Sequence, residues 1–153
     1  MSIPSNPRAA VLSALMENAE LKGRLAADPD DVGHPAVFLF DDAHPPVYPC
    51  VVYQWPQNVP DERFRPTAVE GGGSSPILDA RVELRCYSKG TVADRDVIAL
   101  AAKTALDGRV LVFAYGRIFD ISLVIELPDQ PDPAVDTKYH LLRFRLRVSL
   151  TLP

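Results

Sequence analysis

The most regular pattern of apolar and polar positions lies at the end of the chain. In Lys138 to Leu152 (KYHLLRFRLRVSLTL), Phe144, Leu146, Val148, Leu150 and Leu152 alternate with Arg143, Arg145, Arg147, Ser149 and Thr151. A period of two places the first set on one face of a β-strand and the second on the other. Burial of those five apolar side chains, at roughly 1.5–3 kcal/mol each, is worth about 8–15 kcal/mol before entropy is counted. Such a strand exceeds the usual five or six residues. It therefore runs through the middle of a sheet or reaches beyond its own subunit. The arginine face needs carboxylates, water or a partner.

A second alternating run, Asp79 to Ser88, puts Val82, Leu84 and Cys86 on one face and Arg81, Glu83, Arg85 and Tyr87 on the other. Pairing of the two runs would set Glu83 opposite Arg143, Arg145 or Arg147. Ala36 to Phe40 reads as a short buried strand. Val47 to Gln54 reads as another, with Pro49 at its start or on an unpaired edge. Val110 to Tyr115 and Arg117 to Leu127 form two strands around Gly116, and 128–133 is a loop.

Two segments have helical spacing. Ser5-Asn6-Pro7 opens the first, with Val11, Leu12, Leu15, Met16 and Ala19 following, and it runs to about residue 26 where Asp28-Pro29-Asp30-Asp31 closes it. Thr91 or Asp94 caps the second, whose stripe is Val97, Ile98, Ala101, Ala102, Ala105 and Leu106, and Gly108 stops it. The order of elements predicts an α+β fold with an antiparallel or mixed β-sheet, two α-helices packed on one face, and one domain over 1–153. The exception is 55–78, rich in proline and glycine, read as a projecting loop or hairpin arm. It carries Trp55, Arg63, Phe64 and Arg65, an aromatic-and-arginine set suited either to anchoring a protein interface or to packing back on its own subunit.

Composition changes this picture in a few places. A length of 153 residues fits one domain able to build its core without a metal or disulfide. A net charge of −4 argues against a free-standing nucleic-acid binder. The charge is uneven: residues 1–62 hold 3 Lys/Arg against 9 Asp/Glu, and residues 138–153 hold 4 basic groups and no acid. That split favours head-to-tail contact between copies, and it also fits a monomer whose own ends attract. Cys50 and Cys86 lie in apolar strand-like runs and read as buried, reduced thiols. His34, Asp41, Asp42 and His44 match no ligand spacing for a metal. The run of glycines at 71–73 has no following Lys and is not a phosphate loop. No apolar run approaches 18 residues and no leader pattern begins the chain, so a soluble, cytosolic protein without membrane contact is expected.

The succession PRAAVLSALMENAELKGRL, VYPCVVYQ, DARVELRCYS, DVIALAAKTAL and HLLRFRLRVSL resembles the tail completion or tail terminator (tail-to-head joining) proteins of long-tailed bacteriophages. Related proteins occur in prophages and gene transfer agents. The long 55–78 segment departs from that pattern. The resemblance implies a structural virion protein, assembled in the bacterial cytoplasm and sited at the tail–head junction. Six copies would form a ring that caps the tail tube, ends its polymerisation and offers a surface to the filled head. Its partners would be other copies of itself, the tail tube protein and a head-completion or connector protein. DNA would pass through the lumen without specific binding. No cofactor, metal or catalysis is implied. Head-to-tail contacts suit such a ring, because they close by rotation. The candidate interface residues are Trp55, Arg63, Phe64, Arg65, Arg143, Arg145 and Arg147. The alternatives are a head-completion (stopper) or minor tail protein at the same junction, a small nucleic-acid-binding module using Arg81, Arg85, Arg143, Arg145 and Arg147, and a small enzyme using Cys50.

Overall fold

The computed structural model describes residues 3–40, 45–55, 77–134 and 137–150. Asn6 opens helix α1 (Pro7–Glu17), its side chain accepting the Ala9 N–H at 2.9 Å, with proline in the first turn. The single helix expected to residue 26 breaks at Asn18. That backbone is extended, and the Asn18 side chain accepts the Leu21 N–H at 3.0 Å to start a second helix, α2 (Ala19–Arg24). An asparagine side chain competes with helical backbone bonds in this way. The Asp28–Asp31 run, expected only to end a helix, is the turn of a hairpin. It joins β1 (Ala27–Asp28) to β2 (Asp31–Pro35), with Asp28 Oδ1 accepting the Asp30 N–H at 2.9 Å.

The main sheet has six strands in the order β3-β4-β5-β8-β7-β6. These are β3 (Val37–Leu39), β4 (Cys50–Gln54), β5 (Ile77–Tyr87), β6 (Leu111–Phe113), β7 (Gly116–Asp132) and β8 (Thr137–Leu150). β3 and β4 are parallel and every other pair is antiparallel, so the sheet is mixed. Pro49 immediately precedes β4, where it withholds no ladder donor.

β8 is paired along its length on both sides, to β5 and to β7. Leu142, Phe144, Leu146, Val148 and Leu150 are all fully buried, as the alternation predicts. Val82 lies opposite Phe144, and Leu84 opposite Leu142, extending that apolar face across β5.

Helix α3 (Val92–Leu106) lies over this face, against β5, β7 and β8. Thr91 and Asp94 form a capping box at its start, and Gly108 follows its end with a φ of +72°. Ala99, Ala101, Ala102 and Ala105 are buried, which lets the helix backbone approach the sheet closely. α1 and α2 pack beside α3, so three helices, not two, cover the core.

Residues 128–133, expected as a loop, largely continue β7 to Asp132. Register shifts between Leu123 and Ile125 and between Leu127 and Gln130 make this possible. Pro128 and Asp129 (φ +57°) sit in the second irregularity, where a proline costs no ladder bond and a left-handed aspartate is tolerated. The arm expected over 55–78 falls, from 56 to 76, outside the described residues.

Replacing Phe144 by alanine removes the largest fully buried side chain. The variant is expected to lose about 3–5 kcal/mol of stability, while Leu100→Ala, on the exposed side of α3, should lose under about 0.5 kcal/mol. Denaturant unfolding of the two variants checks the difference.

Candidate interaction surface

The alternation that buries one face of β5 and β8 turns the other away from the helices. Arg81 and Arg145 are directly opposite one another there, as are Glu83 and Arg143, and Asp79 and Arg147. On β7, Arg117 lies opposite Ser149 and Asp120 opposite Arg147. This outer face thus gathers Arg81, Arg117, Arg143, Arg145 and Arg147 against Asp79, Glu83 and Asp120. Among the described residues no helix lies over it.

The pairing foreseen for Glu83 is present, with Arg143 Nη2 3.7 Å from Glu83 Oε2. Asp79 serves two arginines: Arg145 Nη2 at 3.2 Å and Arg147 Nε at 3.8 Å. The Arg145 and Asp79 side chains are 48% and 59% exposed, so water screens the pair and its stabilisation is small. Arg81 facing Arg145 is a like-charge cross-strand pair, which disfavours the isolated subunit slightly. Arg147 also stacks over Phe119, its guanidinium carbon 5.4 Å from the ring centroid.

Toward the other end of β5 the outer face becomes aromatic. Arg85 lies between the Phe40 and Tyr139 rings at 5.0 and 4.9 Å. Tyr87 touches Tyr48 and Tyr139 and donates its hydroxyl to Asp132 Oδ2 at 2.8 Å. Burial, reinforced by Asp132, raises the Tyr87 phenol above its ordinary value.

The remaining candidates distribute unevenly. Trp55 immediately follows β4 and is only 4% exposed, packed into the main core with Arg8 5.7 Å from its ring centroid. It packs into the core of its own chain, the alternative to an interface role. Arg63, Phe64 and Arg65 lie outside the described residues, as do Asp41, Asp42 and His44. His34 is exposed and meets Asp31 at 3.3 Å.

A polar cluster that sequence reasoning missed lies on the inner face. His140 faces α3 beside Cys86 and is 5% exposed. Its Nδ1 lies 3.1 Å from Asp96 Oδ1, and its Nε2 lies 2.7 Å from Glu126 Oε2. Lys103 Nζ donates to both oxygens of Glu126, at 3.1 and 2.9 Å. The Lys103 ammonium, then His140, hold the Glu126 carboxyl below its ordinary value against the opposing effect of burial. Asp96 and Glu126 meet opposite nitrogens of one ring, so they share no point with it at which a metal could sit. Among the described residues no group of His, Cys, Asp and Glu is arranged for a metal. The only sequence signal for this cluster is a histidine inside a strand, with carboxylates on the elements before it.

Arg95 is buried in the same layer, donating to Asp129 Oδ1 at 2.7 Å and to the Ser88 and Gly90 carbonyls at 3.4 and 3.3 Å. Cys50 and Cys86 are free and buried. Burial pushes the Cys50 thiol up to about 12 and raises Cys86 as well, leaving little thiolate at neutral pH. A cleft between α2 and α3 includes Arg24, Ser88 and Asp94. Ser88 and Asp94 are already engaged there, with the Gly90 N–H and in the α3 capping box. No described helix is long and apolar enough to cross a membrane.

No protein-family model matches the chain, and no curated protein gives a significant sequence match. Among solved structures, a chain of "Virion of native gene transfer agent (GTA) particle" is similar, with a TM-score of 0.61 at 23% identity. The likeness covers 94% of this chain and 95% of that one, so it is a likeness of whole folds.

The lowered folded value of Glu126 has a definite sign. The carboxylate stabilises the fold above its unfolded titration, and that stabilisation disappears as pH falls through the folded value. Glu126→Gln is therefore expected to be less stable than the wild type at pH 7, with the gap closing toward about pH 3. Denaturant midpoints of both proteins across that range check it. A gap independent of pH would show that the Lys103–Glu126 pair is not its source.

Proposed function

We propose that this chain is a structural protein of a phage-like particle, whose copies form a ring on the end of the tail tube. The ring ends tube growth and presents the surface to which the filled head joins. The observation that carries the reading is the whole-length fold likeness to a chain of a gene transfer agent virion. The resemblance of the successive sequence segments to tail terminator proteins narrows that likeness to the tail–head junction.

The surface chemistry agrees with assembly more than with turnover. The sheet face is broad and charged, and among the described residues no helix lies over it. The thiols are buried and protonated, and the buried His140 is occupied by carboxylates on both sides. The whole chain acts as one unit in this reading. Its partners are further copies of itself, the tail tube protein on one side of the ring and a head-completion protein on the other. DNA moves through the lumen without being gripped, as a protein of net charge −4 permits.

Deleting the gene from a particle-producing strain is expected to give tails longer than normal and few joined particles. Electron microscopy of the lysate reads this directly. Tails of normal length joined to filled heads would overturn the proposal. Tails of normal length beside heads that have lost their DNA would instead assign the chain to the stopper on the head side. Imaging of the purified protein is expected to show rings of six times the 16.8 kDa chain mass.

A further inference from the structure

The proposed ring leaves open which surfaces join its copies. Resting on that reading, we propose that the acidic β1–β2 hairpin of one copy docks on the arginine face of the next. Three observations carry this.

The first is charge. The hairpin holds Asp28, Asp30 and Asp31 and no Lys or Arg. All its residues from Pro29 to His34 are exposed, and Val32 stands out at 80%. The outer face offers Arg81 and Arg145 side by side, a like-charge pair in which Arg145 already meets the exposed Asp79 and Arg81 forms no ion pair with a described residue, so an incoming carboxylate would relieve it further.

The second is that the two surfaces do not neutralise one another within a subunit. Among the described residues no ion pair joins them: Asp31 meets His34, and Asp28 accepts a backbone N–H of its own turn. The base of the hairpin is tied to the body where Ala26 N donates to Pro49 O at 3.0 Å and Ala36 N to Ala26 O at 2.8 Å. Pro49 adjoins Cys50, which pairs with Tyr87 at one end of β5. Arg81 lies six residues along that strand, roughly 20 Å away at the usual rise.

The third is form. A two-stranded ribbon is marginal on its own, and this one ends in an exposed valine beside carboxylates. A partner surface with arginines and a ring such as Phe119 would cover both. Because the hairpin docks on the next copy and not reciprocally on the same one, the contact is heterologous, and repetition of it closes a ring or extends a filament.

The test uses the full chain. Two variants reverse one surface each, Arg81→Glu with Arg145→Glu, and Asp30→Arg with Asp31→Arg. A third carries all four changes. Assembly is followed by light scattering against concentration at low and high salt, and thermal melting confirms that each variant folds. Each single-surface reversal is expected to raise the concentration for half-assembly about tenfold or more. The four-change variant should return to within a few-fold of wild type, because complementarity is restored with signs exchanged. Assembly indifferent to both reversals, a four-change variant no better than its parents, or a wild-type chain that stays monomeric at every concentration and salt would each overturn the assignment. If instead short duplex DNA binds the wild type with steep salt dependence and is lost on Arg81→Glu with Arg145→Glu while assembly is unchanged, the face belongs to nucleic acid and the assignment falls. Tail length in the gene deletion is a separate readout, so this contact can fail while the proposed function stands.

Discussion

The rest of the structure depends on the strict period of β8. Its backbone bonds both ways, to β5 and to β7, so its register sets theirs. A slip of one residue would carry Phe144, Leu146 and Val148 out of the core and put Arg143, Arg145 and Arg147 into it. Burying an unpaired guanidinium is so unfavourable that no such register competes. The arginines thus specify the fold by where they cannot go, even though their own ion pairs, screened by water, add little. The same alternation makes two unlike faces from one strand. One is sealed by α3, and the other is left polar, as is usual for a sheet covered on one side.

The sealed face still contains charge, and that charge fixes the helix. At its start, Arg95 ties α3 to the Ser88 and Gly90 carbonyls and to Asp129 of β7. In the middle, Asp96, His140, Glu126 and Lys103 link α3 through β8 to β7 and back. At its end, Gly108 N donates to Ile121 O, and Asp107 Oδ1 accepts Leu123 N. Apolar packing of small alanines is non-directional and would let the helix slide or turn. The polar ties, anchored on the buried Arg95 and His140 side chains, are directional and set its direction and height. The irregularity at Pro128 and Asp129 belongs to this arrangement, since it swings the Asp129 carboxylate to where Arg95 and Lys138 meet it.

The parts of this fold that sequence could reveal are those where one local rule governs. β5 and β8 were legible because period two is unmistakable over many residues, and the Glu83–Arg143 pair followed from their pairing. α3 was legible because its cap, alanine-rich stripe and terminal glycine agree. The break at Asn18 was not, because apolar spacing continues across it and a single capping side chain decides the matter. The β1–β2 hairpin was hidden in the same way: Asp28-Pro29-Asp30-Asp31 is a turn signal, but a signal for stopping and for reversing look alike. The prolines of 128–133 suggested a loop, and only the tertiary bulge lets β7 continue through them. Trp55 beside a proline-rich stretch fits an interface or its own core equally well by sequence, because local pattern does not say which surface an aromatic at an element's edge meets. The cluster at His140 joins β8 to residues 14 and 44 positions earlier, a juxtaposition that no spacing rule encodes.

The two unlike faces also bear on how copies of such a chain would meet. A net charge of −4 spread over the whole chain gives weak repulsion, and at physiological salt it is screened within about 8 Å. Overall charge therefore says little about association. What survives screening is the arrangement of charges that come into contact, where water is displaced and the effective dielectric falls. Here the arrangement is polar in the geometric sense, with arginines concentrated on the outer sheet face and carboxylates on a hairpin that has no Lys or Arg. Identical copies with such a distribution gain little from facing like to like. They gain most when one kind of patch meets the other, and where that contact is not reciprocal between two copies it generates rings and tubes. The directional assembly proposed for this chain thus draws on the same alternation that forms its core.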